Sequence, residues 1–216
     1  MKHPSSRELY AYWEERRGKR PAPERVDIEP GAIRKVLSET FILALGHAAA
    51  GHPFRLAGTR VCALFGRELK GESFIGLWAA ASQRAVNDLL TILTEESVGT
   101  VAGVNAVNES GEPVDLELLL LPLGTRRPSL ARSIGVLAPL KPPPWFGLSP
   151  IGALTLGSRR HIGAATERRL LPRFLAPNFA TSFAPGFLPQ RLRRGLVVYE
   201  GGRSEAAEPD ADRSQL

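Results

Sequence analysis

One segment in the first half of the chain, residues 54–78, constrains the fold more than any other. It reads FRLAGTRVCALFGRELKGESFIGLW, with a short apolar strand pattern at residues 54–58 and a helical turn at residues 60–65. Gly66 and Gly71 interrupt the pattern before a further apolar run. Because a strand and short helices joined by so few residues must pack together, this order predicts a mixed α+β domain.

The flanking sequence predicts one long helix and several further strands. Apolar residues between positions 86 and 93 recur at the spacing of one helix face, which predicts the longest helix over residues 80–96. Strands are expected at residues 41–45, 98–108, 114–120 and 130–139. Apolar and acidic residues alternate at the start of the third of these, as in a half-buried antiparallel strand.

Residues 66–71, GRELKG, carry a resemblance to a known family. They are similar to the Gly…Glu-Leu-x-Gly pattern of PAS domains, and the order of elements over residues 28–140 resembles that family too. Thr59 and Arg67 stand where the usual pattern has Asn and an aromatic residue, which resembles a divergent branch of small stand-alone proteobacterial proteins. The resemblance implies a five-stranded antiparallel sheet with helices packed on one face, and a sensory role.

The chain is expected to contain one such domain with extensions at both ends. The expected parts are an N-terminal helix and linker (1–24), the PAS-like domain (25–140), a proline-rich basic extension (141–200) and a disordered tail (201–216). Ser5 and Glu8 have the spacing of a capping box at the start of the first helix. Leu9, Tyr12 and Trp13 form an apolar stripe, which packs on the domain or makes a dimer contact with a second copy.

Composition and charge limit the cellular compartments and the kinds of binding partner that are expected. The 216 residues carry a net charge of +6, and the single cysteine excludes an internal disulfide framework, which suits a reducing cytoplasm. Charged residues near the start argue against a signal peptide, and the apolar runs are too short for a transmembrane helix. Eight arginines and one acidic residue occur between positions 159 and 194. This stretch is either a solvated extension or an unspecific anion-binding segment.

The resemblance places any ligand pocket between the sheet and the helices. The candidate lining residues are Leu56, Arg60, Phe65, Phe74, Trp78, Asn87, Leu90, Leu116, Leu118 and Ile134. Arg60 and Asn87 are the polar candidates in a set that is otherwise apolar, as ligand pockets usually are. Ordinary core packing is the alternative interpretation, because any core of this size contains such residues.

The resemblance also bears on cofactors. Flavin-binding light-oxygen-voltage members form their flavin adduct through the cysteine of Gly-x-Asn-Cys-Arg-Phe-Leu, and Phe74 stands at the matching position in residues 71–77. Haem-binding members take an axial histidine from the long helix, and residues 80–96 contain no histidine. The resemblance therefore implies neither a flavin adduct nor haem, and it leaves the identity of any ligand open.

Motifs for catalysis and metal binding are weak. The sequence has no nucleophile elbow, phosphate loop or dinucleotide fingerprint. His47 and His52 flank one loop but lack a nearby carboxylate, so we expect no metal there. Cys62 lies in an apolar helix and is expected to pack rather than react. Asp115 and Glu117 share one strand face and could pair as carboxylates, although alternation predicts that both face solvent.

We therefore predict a non-enzymatic PAS-type regulatory module that acts in cytoplasmic signal transduction as a homodimer. Its expected partners are other signalling proteins, with a small apolar ligand as an option. The alternative is a nucleic-acid or anionic-surface binder that uses residues 159–194, where four nearby phenylalanines could stack on bases. No helix-turn-helix, RNP-like or zinc-finger pattern supports that alternative. An enzyme with an unrecognised site ranks last.

Overall fold

A computed structural model describes residues 1–125 and 131–163, and the backbone alone of residues 192–193 and 196–197. The helices are α1 (Pro4–Arg17), α2 (Thr59–Phe65) and α3 (Ala80–Glu96). The strands are β1 (Thr40–Ala44), β2 (Phe54–Ala57), β3 (Gly99–Val107), β4 (Pro113–Leu123), β5 (Arg132–Pro139), β6 (Thr155–Ile162), β7 (Leu192–Arg193) and β8 (Leu196–Val197). One unit spans Met1–Leu171; a second, Pro172–Leu216, contains the antiparallel pair β7–β8.

Six strands form one antiparallel sheet in the order β2–β1–β5–β4–β3–β6. The prediction of five strands was one short, because β6 comes from the part of the chain that the sequence assigns to the proline-rich extension. Most β6 residues are exposed, and they show no apolar alternation. An edge strand that is solvated on both faces has no buried face for the sequence to record, which is why periodicity does not reveal it.

The helices α2 and α3 cover one face of the sheet, as the sequence predicts. Leu90 and Leu93 of α3 pack with Leu118 of β4 in a cluster that we call the inner core. Gly58 makes the turn from β2 into α2, because a Cβ there would lie only 2.2 Å from the carbonyl oxygen of Leu37. Among the described residues, none of the helices is both long and apolar enough to span a membrane.

The helix α1 covers the opposite face of the sheet. Leu9 and Trp13 are fully buried, and they pack with Ile134 of β5 in a second cluster, which we call the outer core. Trp13 Nε1 also donates a hydrogen bond to the carbonyl of Pro122 at 2.8 Å. The apolar stripe therefore packs on its own domain, and only half-buried Tyr12 stays partly accessible. A dimer contact through Leu9 and Trp13 would require α1 to leave the sheet.

The start of α1 differs from the predicted capping box. The helix begins at Pro4, and the N-cap is His3, whose Nδ1 accepts a hydrogen bond from the Ser5 N–H. Pro4 is well suited to the first helical turn, where its missing N–H costs nothing. The Ser5 hydroxyl instead donates to Glu39, so the pairing with Glu8 was wrong.

Candidate functional site

Four aromatic side chains fill the space between β1, β2 and the segment before α3. Phe41, Phe54, Phe74 and Trp78 are each at most 2% exposed. Neighbouring ring centroids lie 5.7–5.8 Å apart, in stacked and edge-to-face arrangements that are favourable between aromatic rings. We call these four residues the aromatic cluster, and they form one end of the inner core.

Six of the ten predicted pocket residues come together in the inner core. They are Phe65, Phe74, Trp78, Leu90, Leu116 and Leu118. Three others lie elsewhere: Leu56 is 42% exposed on β2, Asn87 is exposed on α3, and Ile134 belongs to the outer core. The structure places these three outside the inner core. β2 is short and β5 is buried on both faces, so neither strand pattern shows which side faces the helices, and Asn87 lies on the exposed side of α3. That the six line a ligand pocket stays a prediction.

The tenth candidate, Arg60, connects α2 to two other parts of the chain. Its Nε lies 3.0 Å from Oε1 of Glu39, and its guanidinium lies 4.8 Å from the ring centre of Phe146. Glu39 is only 8% exposed and also accepts the hydrogen bond from the Ser5 hydroxyl of α1. One buried carboxylate therefore joins α2 on the inner face to α1 on the outer face.

A second buried carboxylate, Glu117, holds the residues before α1 on the sheet. Its oxygens accept the backbone N–H groups of Lys2 at 2.6 Å and His3 at 3.0 Å, and the residue is 5% exposed. Burial acts to raise the pKa of this carboxyl, but these hydrogen bonds lower it, and the resulting pKa lies below the ordinary value. The expectation that Glu117 faces solvent was wrong, whereas Asp115 on the same face is exposed.

Stability should fall in acid because of Glu117. A carboxyl with a depressed folded pKa stabilises the fold above its unfolded pKa, near 4.5, and this contribution is lost as the pH drops through the folded pKa. Glu117→Gln offers one acceptor oxygen instead of two, so one buried N–H loses its partner. We expect a cost of about 1–3 kcal/mol at neutral pH and a flatter acid limb in thermal unfolding. The Asp115→Asn control, at an exposed position of the same strand face, should cost less than about 0.5 kcal/mol at neutral pH. A Glu117→Gln profile parallel to wild type would contradict this assignment.

β6 carries an exposed basic pair, Arg159 and Arg160. Neither forms an ion pair within residues 1–125 and 131–163. Both line a cavity of 330 Å³ together with Lys2, Gly103 and Glu117, between the start of α1 and β6. The other arginines of the predicted basic stretch have side chains outside the described residues: Arg168, Arg169, Arg173, Arg191, Arg193 and Arg194.

The histidines and the cysteine do not assemble into a reactive group in the described part of the chain. His52 is buried, which lowers its pKa, whereas His47 is exposed. Burial raises the pKa of the Cys62 thiol, whose Sγ lies 3.6 Å from the Glu68 carboxylate, so the reactive thiolate is disfavoured. Across residues 1–125 and 131–163, no three His, Cys, Asp or Glu side chains are grouped to hold a metal.

Comparison with known families identifies the class of protein that this fold defines. The PAS domain family model matches residues 1–138, more than half of the chain, so the protein belongs to the PAS domain family. PAS domains are sensory and regulatory modules. The match includes α1, which the sequence alone assigns to an extension. No match was found among the curated proteins.

Two solved structures are similar to this chain. The first, titled "Crystal Structure of Rhodobacter Sphaeroides LOV protein", shares 18% identity with a TM-score of 0.38 and covers 50% of this chain and 65% of its own. The second, "Structure of RsLOV d2 variant", shares 21% identity with a TM-score of 0.38 and covers 50% and 64%. The chain therefore spans slightly less than two thirds of the length of these structures.

Proposed function

We propose that this protein is a non-enzymatic PAS module that regulates other proteins through direct contacts. The observation that supports this proposal most is the aromatic cluster. The space between sheet and helices, where the family resemblance places a ligand, contains four closely packed rings. A large planar cofactor would have to displace them, and close-packed cores resist such rearrangement.

The position of Phe74 supports the same proposal. It stands where light-oxygen-voltage members have the cysteine that forms the flavin adduct, and its ring contacts Phe41, Phe54 and Trp78. The position thus offers a packing ring in place of a thiol. A small apolar ligand with one hydrogen-bond acceptor stays compatible with this interior, because Trp78 Nε1 is buried without a hydrogen-bond partner in the described structure.

A regulatory module also needs a connection between its interior and its surface. The contacts of Glu39 with Arg60 of α2 and Ser5 of α1 provide one, because they link the layers on the two faces of the sheet. We infer that a change in the inner core reaches α1 along this route. A cytoplasmic location and a homodimer belong to the same proposal. The single cysteine supports the location, and the tendency of PAS domains to dimerise supports the homodimer.

A second candidate function is binding to nucleic acid or another anionic surface. The exposed side chains of Arg159 and Arg160 favour it, since exposed cations attract phosphate. The aromatic residues that were expected to assist, Phe174, Phe179, Phe183 and Phe187, lie outside the described residues.

Native mass spectrometry and absorption spectra of the purified full chain test the proposal. We expect the mass of the polypeptide, alone or with a small apolar molecule, and no flavin or haem absorption. If a small molecule is retained, Trp78→Phe should reduce its occupancy, because phenylalanine lacks the N–H donor but keeps an aromatic ring. A flavin or haem retained at one per chain would contradict the proposal. Light scattering on the same sample measures whether the chain is a dimer.

A further inference from the structure

Within residues 1–125 and 131–163, no chain segment pairs with the outer edge of β6 along its second half. At its beginning, the Leu156 N–H donates to Oγ of Ser82 in α3 at 3.1 Å, so α3 covers this part of the edge. Along residues 158–162, the described structure shows no backbone hydrogen bonds other than those of the ladder with β3. Unpaired N–H and C=O groups along a sheet edge form a template for another strand.

The other edge of the sheet is different. The backbone N–H of Phe54 in β2 donates to the carbonyl of Glu72 at 3.0 Å, and the N–H of Gly71 donates to the carbonyl of Phe54 at 2.8 Å. The loop after α2 therefore covers β2. Of the two edges, β6 has the larger stretch without a backbone partner in the described part of the chain.

The register identifies which β6 groups face the open side. Leu156 lies opposite Val104, and its N–H points away from β3, so this is a non-hydrogen-bonded pair. Arg159 lies opposite Ala102, and His161 lies opposite Thr100. The β3–β6 ladder shifts register between Ala102 and Val104, but β3 itself pairs regularly with β4, so Thr100, Ala102 and Val104 all have the same orientation. Because alternate residues of a strand point the same way, Arg159 and His161 direct their N–H and C=O groups outwards. Arg160 directs its own towards β3.

The charges on this edge of β6 indicate which kind of partner could bind there. Arg159 and Arg160 are exposed, and as neighbours in a strand they project to opposite faces of the sheet. Two copies of β6 side by side would bring like charges together, which destabilises strand pairing. An acidic strand would meet a cation on each face instead. Nucleic acid would neutralise the charges but could not continue the backbone ladder.

We propose that β6 binds an extended acidic segment of a partner protein, which joins the sheet as a further strand. The inference rests on the proposed function, since a module that acts through protein contacts needs such a surface. Main-chain hydrogen bonds to Arg159 and His161 would provide affinity, and acidic side chains next to the arginines would provide selectivity.

Binding of labelled peptides to the full chain, followed by fluorescence anisotropy, tests the proposal. The probe is an alternating Glu-Val peptide of about ten residues, the length of a long strand. A Glu-Pro peptide keeps the charge but lacks the donors, and a Lys-Val peptide reverses the charge. We expect the Glu-Val peptide to bind at least about tenfold more tightly than either, a difference of about 1.4 kcal/mol. Equal binding of Glu-Pro, or tighter binding of a single-stranded oligothymidylate, would overturn the proposal.

Two proline variants distinguish the open edge of β6 from its hydrogen-bonded ladder with β3. Arg159→Pro removes an outward N–H, so it should leave the unfolding midpoint near that of Arg159→Ala while it abolishes binding of the Glu-Val peptide. Arg160→Pro removes an N–H bonded to β3 and should destabilise the domain. An Arg159→Pro protein that binds the peptide as tightly as Arg159→Ala would overturn the proposal.

A charge-reversal pair completes the test. Arg160→Glu should weaken binding of the Glu-Val peptide at least about tenfold, whereas Arg55→Glu, at an exposed position of β2, should not change it. Equal weakening by both variants would mean unspecific attraction and would overturn the inference. If no peptide binds while native mass spectrometry finds no flavin or haem, the inference about β6 fails and the proposed function stands.

Discussion

Replacing Phe74 with alanine should lower the free energy of unfolding by about 3–5 kcal/mol, a large part of the total for a domain of this size. Phe74 is fully buried and contacts the other three members of the aromatic cluster. Phe41 and Phe54 are fixed in paired strands, so the space left by the ring cannot fully collapse. Chemical denaturation measures the loss. Leu148→Ala, at an apolar residue that is 85% exposed, is the control and should cost less than about 0.5 kcal/mol.

The same variant examines whether the cluster fills a ligand site. Apolar cavities left by the loss of a large side chain stay dry and bind benzene. Benzene should therefore raise the unfolding midpoint of Phe74→Ala and leave that of the wild type unchanged. An equal rise in the wild type would contradict complete filling by the aromatic cluster and would favour the small apolar ligand that the proposed function allows.

Replacing Trp13 with alanine should have an effect of similar size, about 3–5 kcal/mol. The indole is fully buried in the outer core, and its loss also leaves the carbonyl of Pro122 without its donor. Glu8→Ala, at an exposed position of the same helix, is the matched control. Denaturation measures the stability and light scattering measures the mass.

The two measurements distinguish the roles of α1. If Trp13 packs on its own sheet, stability falls in Trp13→Ala at every protein concentration. If Trp13 instead contacts a second copy, the variant has a lower mass than wild type and nearly unchanged monomer stability. The second result would contradict the arrangement of the outer core.

Much of the fold follows from local patterns. The spacing of Val86, Leu90 and Leu93 predicts α3, which the structure confirms over Ala80–Glu96. Gly66 interrupts the helical turn that is predicted at residues 60–65, and it indeed ends α2 in the left-handed conformation. Such elements are predictable because each one buries a single face, and the sequence records that face with its own period.

The parts that were missed depend on contacts between distant residues. Glu117 looks like a solvent-facing acid between two leucines, but residues 115 positions away cover it. The sequence shows two acidic residues that alternate with leucines, and this local pattern does not reveal that the start of the chain covers the second of them. Ile134 was placed on the wrong face for a related reason, since β5 is buried on both sides and carries no alternation.

The carboxylate of Glu39 has a thermodynamic consequence. Because it accepts a hydrogen bond from a hydroxyl on one layer and pairs with a guanidinium on the other, any coupling between these two contacts is reciprocal: its free energy is the same in both directions. A change in the Glu39 contact on one layer is therefore reflected in the Glu39 contact on the other layer. A molecule that docks on either side of the sheet would alter how firmly the opposite side is held, without any segment of chain crossing between them.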